Sequence, residues 1–404
     1  MATAFERAEL HFRTSGQPFT IEHAKTGAPM NLKIVTAACL LSTFSGICHP
    51  PARAADAPLP AEIASAFEVP SEWKDALGSY RSPLLFQDGS PVQTPADWNR
   101  RRDEIARGWH EVMGPWAGII DNPRVEYLER TERDGFIQHR VRVEIAPEQT
   151  ELGYLLVPIG AVNAGAVFVP FYDPETSIGL GKPMRDFAYQ LARRGFVTLA
   201  IGSPGGDARK PELGVAKCQP LSFLAYVAAN CANVLANLKE VDARRIGVVG
   251  HSYGGKWAMF AACLNERYLC AAWSDPGVVF DETRPNVNYW DPWYVGATDG
   301  PPRPVGLPSP ERPRTGAYKI LRERGWDLHE LHALMAPRPF LVSGGSEDPV
   351  ERWTALNHTG AVNRLLGYAG RVGMTNRPHH EPTAESNEQI YRFFEHFLGS
   401  PADQ

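Results

Sequence analysis

One stretch constrains the fold of this chain more than any other: Arg245-Ile246-Gly247-Val248-Val249-Gly250-His251-Ser252-Tyr253-Gly254-Gly255-Lys256-Trp257-Ala258. A short apolar run rich in β-branched residues leads into Gly-x-Ser-x-Gly, and a helix-compatible segment follows from Tyr253 to Asn265. That order of strand, sharp turn and helix is what a nucleophilic serine on a strained turn requires. Nothing bulky fits two residues either side of such a serine, and Gly250 and Gly254 meet that demand. A helix starting directly after Ser252 also presents free N–H groups that favour an oxyanion.

The rest of the chain supplies a frame for this turn. Arg124 to Leu128, Gly135 to Ile145 and Leu152 to Val157 alternate apolar and polar residues as antiparallel strands do, whereas Gly165 to Tyr172 is apolar throughout, as a strand buried on both faces would be. Strand and helix then alternate. A helix over Met184 to Arg193 leads to a strand at Phe196 to Ile201, and a helix over Leu221 to Leu238 precedes the serine turn. Further strands are expected at Cys270 to Asp275, Pro339 to Ser343 and Arg371 to Met374, with helices at Trp353 to Leu366 and Glu385 to Leu398. The alternation predicts an α/β fold with a mostly parallel central sheet flanked by helices. Before the strands, residues 55–120 read as an appendage with one helical pattern, opened by Thr94-Pro95-Ala96-Asp97 and carried by Trp98, Ile105, Trp109, Val112 and Met113. Residues 121–400 form the expected catalytic domain.

The first 54 residues do not belong to that frame. Met30-Asn31-Leu32-Lys33 precedes an apolar stretch from Ile34 to Ile47 and then Ala52-Arg53-Ala54, the pattern of a secretory signal whose true start is Met30. The stretch is too short to span a bilayer comfortably. The expected mature protein begins near Ala55 and is secreted or periplasmic, with no membrane attachment after cleavage. Cys39 and Cys48 leave with the leader. Cys218, Cys231, Cys263 and Cys270 remain, in a compartment that permits disulfides, and their three possible pairings stay open. A net charge of −5 gives no support for a nucleic-acid partner.

From about residue 120 to 400 the chain resembles the α/β-hydrolases, and among them carbohydrate esterases of the acetyl xylan esterase, dienelactone hydrolase and glucuronoyl esterase kind. The resemblance rests on the Ser252 turn and on the order nucleophile, acid, histidine: Ser252, then Asp348 in Ser343-Gly344-Gly345-Ser346-Glu347-Asp348-Pro349, then the pair in Asn376-Arg377-Pro378-His379-His380-Glu381-Pro382. It implies that Ser252 attacks, His380 moves the proton and Asp348 orients the histidine, without cofactor or metal. Glu347 is the adjacent rival to Asp348, His379 the rival to His380, and Asp275 an alternative acid at the end of the strand after the elbow helix.

An oxyanion hole needs two backbone N–H groups. Tyr253 is one candidate. The other falls after the strand Val167 to Phe171, at Tyr172 or Asp173, where the glycines of lipases are absent. Lys256 matches a lysine of glucuronoyl esterases that contacts sugar hydroxyls, but Tyr253 stands where those enzymes carry arginine. The Pro- and Gly-rich region 276–327, with Tyr289, Trp290, Trp293 and Tyr294, is expected to wall the site, with Trp290 and Trp293 touching substrate. The expectation is a secreted serine esterase for short acyl or uronate esters of small-molecule or polysaccharide carbohydrates. A peptidase of the prolyl-oligopeptidase type and an inactive hydrolase-fold binding module are the rivals. His329-x-x-His332 lacks a third ligand at zinc spacing, and Gly202-Ser203-Pro204-Gly205-Gly206 lacks the ending of a phosphate loop.

Overall fold

The computed structural model describes residues 58–284, 290–301 and 303–399. The expected leader over 1–54 lies outside these residues, as do Asn286 to Tyr289 of the aromatic segment. Among the described residues, nine strands form one sheet in the order β1-β2-β3-β5-β4-β6-β7-β8-β9. Strands β1 (Val125–Arg133), β2 (Phe136–Ala146) and β3 (Gln149–Pro158) form an antiparallel meander that joins β5 (Val197–Ile201) antiparallel. From β5 onward every pairing is parallel, through β4 (Ala164–Pro170), β6 (Val241–His251), β7 (Tyr268–Ser274), β8 (Phe340–Gly344) and β9 (Val372–Asn376). Strand β4 and the run Ile246 to Gly250 of β6 are apolar because both faces are covered. Phe168 and Val248 point into one core, and their neighbours Val167, Val169 and Val249 point into the other.

The helices are α1 (Ala61–Ala64), α2 (Pro95–Met113), α3 (Pro174–Ser177), α4 (Phe187–Ala192), α5 (Pro220–Ala236), α6 (Tyr253–Leu264), α7 (Gly316–Glu323), α8 (Leu328–Ala333), α9 (Trp353–Leu365) and α10 (Ala384–Leu398). Trp257 and Met259 of α6 and Leu221 and Leu224 of α5 fill the first core. Phe187 and Leu191 of α4 and Ile390, Phe393 and Phe394 of α10 fill the second. The Thr94 hydroxyl accepts from Asp97 N–H while the Asp97 carboxylate accepts from Thr94 N–H, a capping box that starts α2 where the sequence predicts it. Trp98, Ile105, Trp109 and Met113 of α2 join the first core.

The chain before α2 is strapped to α8 and α9 by polar side chains. Asn357 donates to the carbonyls of Trp73 and Ala76, His358 meets Leu77 O at 3.0 Å, and His329 meets Arg81 O at 2.6 Å. His332 instead rests against Met259 Sδ, and among the described residues no group of three potential ligands could hold a metal ion. Cys218, Cys231, Cys263 and Cys270 are all buried as free thiols. No described helix is long and apolar enough to cross a membrane.

Candidate active site

Strand β6 ends at His251 and α6 begins at Tyr253, so Ser252 alone makes the turn, at φ 57° and ψ −116°. A non-glycine residue held there is strained, and the surroundings hold it in place. Its N–H donates to Ser274 O of the neighbouring strand at 2.8 Å, and Lys256 N–H donates to its carbonyl at 2.9 Å. The flanking glycines are sterically required. A Cβ on Gly250 would lie 2.1 Å from Gly254 O, and one on Gly254 would lie 2.2 Å from Pro170 O.

His380 Nε2 lies 2.9 Å from Ser252 Oγ, and His380 Nδ1 lies 2.7 Å from Asp275 Oδ2. His379 is exposed and takes no part. The structure therefore brings together Ser252 and His380 as expected, but the carboxylate against the histidine is Asp275 and not Asp348. The reason lies in strand order. β7 pairs directly with β6, so a residue just past its end stands one strand spacing, about 4.8 Å, from the serine turn. Asp348 follows β8, one strand further away, and its carboxylate is turned instead to the N–H groups of Gly277 and Val278 at 2.8 and 2.6 Å. Burial, with the Asp275 charge alongside, pushes the Asp348 carboxyl up to about 7. Asp275 is fully buried and accepts from Gly345 N at 2.6 Å, Asp348 N at 2.8 Å and Glu347 N at 3.2 Å, besides His380.

The residues on either side of Ser252 complete the turn. The ring of buried His251 lies 4.6 Å from that of His380, and burial with nearby positive charge holds it well below the usual imidazole range. Tyr253, first residue of α6, offers its N–H beside the nucleophile. Its ring is buried between Tyr172, Trp257 and Tyr294, and its hydroxyl pairs with Ser203 Oγ at 3.0 Å. Tyr172 follows β4, is 43% exposed, and sets its ring 5.0 Å from that of Tyr253, so the strand end expected to carry a second oxyanion donor lies beside the turn.

A cleft of about 190 Å³ opens over Ser252 and His380. Lys256 lines it, as expected, but its ammonium donates to Pro276 O and lies 4.9 Å over the Trp290 ring, and burial pulls its pKa down. Trp290 lines the cleft while remaining almost fully buried. Trp293 is not among the cleft-lining residues. Its ring carries the Arg209 guanidinium 5.2 Å over its face, outside the cleft. Two ion pairs that sequence reasoning missed also line the cleft: Arg352 with Asp281 at 2.6 Å, and Arg284 with Glu347 at 3.5 Å. Their residues come from the two connections that follow β7 and β8 and form no motif; only those fold-level positions unite them.

No sequence-family profile matches the chain. It is 24% identical to a protein of Wolfiporia cocos (strain MD-104) named 4-O-methyl-glucuronoyl methylesterase 1, over 90% of both chains. A solved glucuronoyl esterase from Solibacter usitatus superposes with a TM-score of 0.62 at 18% identity, covering 82% of this chain and 99% of that one. A promiscuous esterase of carbohydrate esterase family 15 from a marine bacterial metagenome superposes with a TM-score of 0.61 at 17% identity, over 82% of this chain and all of that one. The chain has the α/β-hydrolase fold. In this chain the antiparallel meander, the parallel half-sheet and the serine turn stand where the sequence pattern predicts them.

Proposed function

We propose that this chain is a serine carboxylic-ester hydrolase acting on uronate or short acyl esters of carbohydrates through an acyl-enzyme. One observation carries the reading: Ser252 Oγ, His380 and Asp275 form a continuous relay at 2.9 and 2.7 Å on a strained turn. A serine hydroxyl is a weak nucleophile until a base takes its proton. His380 Nε2 accepts that proton as Ser252 Oγ attacks the ester carbonyl, and Asp275, accepting from Nδ1–H, fixes the tautomer and stabilises the imidazolium. The Tyr253 N–H faces the negative charge that develops on the carbonyl oxygen; a single donor of this kind is worth roughly 10²–10³ in turnover. His380 then protonates the departing alcohol, and water repeats the sequence on the acyl-enzyme.

The small, polar cleft supports a sugar-sized ester. Trp290 offers an aromatic wall and Lys256 a cation, with further charged side chains and no continuous aliphatic surface among the cleft-lining residues. The Wolfiporia relative, named for a methylesterase on 4-O-methyl-glucuronoyl groups, points the same way. Export through the leader at Met30 is part of this reading.

The test pairs fluorophosphonate labelling with a panel of acetylated, feruloylated and methyl-uronate sugars, long-chain esters and peptides. Labelling at Ser252 with turnover of a sugar ester, both abolished in Ser252→Ala by about a millionfold in kcat, is the expected result. Absence of labelling would favour a binding module, and preference for peptides a peptidase.

A further inference from the structure

Arg377 opens the loop that carries His380, and it is buried. Its guanidinium is spent on main-chain carbonyls and serine hydroxyls, with no carboxylate salt bridge among the described residues. Nη2 donates to the carbonyl of His380 itself at 2.7 Å, and Nε donates to the carbonyl of Glu381 at 2.8 Å. Nη1 donates to Ser343 O at 2.7 Å and to Ser343 Oγ at 3.0 Å, at the end of β8. Nη2 also reaches Ser274 Oγ, at the end of β7, at 3.3 Å. One planar fork thus ties the histidine and the residue after it to two strand ends. The main-chain N–H of Arg377 adds a bond to Gly344 O at 3.0 Å.

A second path from the same guanidinium reaches the histidine ring. Ser274 Oγ accepts from Arg377 and lies 3.1 Å from His251 Nδ1. The His251 ring then backs the ring of His380. His380 is one-third exposed, on a loop with prolines at 378 and 382.

We propose that Arg377 is a positioning residue for His380, fixing the histidine loop through the carbonyls of His380 and Glu381 and the ring through Ser274 and His251. Arg377 touches no reacting atom. It sets the angle at which Nε2 meets Ser252 Oγ, and displacement of a base by about 1 Å costs on the order of a hundredfold in rate. The inference rests on His380 acting as the base.

The test uses the full chain with Arg377→Ala and Arg377→Lys, read by kcat and KM for p-nitrophenyl acetate, by the unfolding midpoint, and by the proton resonance of His380 Nδ1–H. Folded Arg377→Ala is expected to lose about a hundredfold in kcat with KM within roughly twofold, and millimolar guanidinium is expected to restore part of the loss. Arg377→Lys keeps the charge but not the fork, so it stays well below wild type. The downfield Nδ1–H signal, present in wild type and in Ser252→Ala, disappears in Arg377→Ala. A folded Ala or Lys variant with wild-type kcat overturns the inference, as does a kcat loss matched by an equal loss of titratable active sites. If wild type shows no Ser252-dependent turnover, the esterase reading fails instead, and the Nδ1–H signal still reports whether Arg377 positions the ring.

Discussion

Asp275 and Asp348 clamp one another's loops: Asp275 accepts from the main-chain N–H of Asp348 at 2.8 Å, while Asp348 accepts from Gly277 and Val278, two and three residues past Asp275. The two carboxylates are both fully buried, yet only Asp275 meets His380. Their roles therefore separate cleanly. Asp275→Asn is expected to lose on the order of ten-thousandfold in kcat, because the amide presents a donor to Nδ1 and favours the wrong tautomer. Asp348→Asn, which leaves the relay intact, is expected to stay within about tenfold of wild type. Steady-state kinetics on p-nitrophenyl acetate decides it, and a crippled Asp348→Asn beside an active Asp275→Asn would return the acid to Asp348.

Asp348 also makes stability depend on pH. Its folded carboxyl, pushed up to about 7 by burial and by Asp275, exceeds its ordinary value of 3.8. Between those values the folded state binds more protons than the unfolded chain, so the contribution of Asp348 is present at acid pH and is lost as pH rises through about 7. Asp348→Asn lacks this titration. The stability of wild type relative to the variant is expected to be greatest near pH 4 and to shrink steadily toward pH 8. Urea unfolding of both proteins across that range measures it, and a constant difference would show that Asp348 is ionised throughout.

Much of this arrangement is legible in the sequence, for reasons that particular residues make plain. The serine turn declares itself because Gly250 and Gly254 have no steric alternative, and the parallel strands because burial on both faces leaves no polar position between Gly165 and Pro170. The choice of acid is not legible. Asp275 and Asp348 both follow strands, and only the pairing of β6 with β7 decides which carboxylate lies beside the serine turn. Trp290 and Trp293 illustrate the same point, since an irregular segment does not reveal which ring turns to the cleft and which takes Arg209 on its face. Arg377 is invisible to motif reading because it acts through main-chain carbonyls, which any sequence would supply.

The chain before the sheet is bound to the body by a buried ion pair. Arg101 of α2 and Glu330 of α8 meet at 2.7 Å with both side chains 2% exposed, and Arg81 adds a longer contact at 3.3 Å. Burial raises the Glu330 pKa despite these cations, a sign that desolvation outweighs the attraction. Glu330→Gln leaves buried Arg101 with Glu104 as its remaining carboxylate, at 2.5 Å, and is expected to cost about 1–3 kcal/mol. Replacing both, as Arg101→Met with Glu330→Met, is expected to recover most of that loss. Chemical denaturation of the three proteins is the measurement, and a double variant no better than Glu330→Gln would show that the pair itself is stabilising.

Lys256 offers the sharpest division between structure and substrate. Its ammonium is held by Pro276 O and the Trp290 ring, and Pro276 directly precedes the Gly277 and Val278 N–H groups that Asp348 uses. The same ammonium lines the cleft beside Ser252. If it binds a sugar hydroxyl, Lys256→Met removes an interaction made equally in ground and transition states, which raises KM and leaves kcat unchanged. The expected outcome is a KM increase of roughly tenfold on a methyl-uronate sugar ester, with p-nitrophenyl acetate hydrolysis within about twofold of wild type. Equal losses on both substrates would place Lys256 in the scaffold beneath Asp348. An unfolding midpoint measured alongside distinguishes that case from global destabilisation, because a lost scaffold contact lowers both stability and kcat, whereas a lost sugar contact lowers neither.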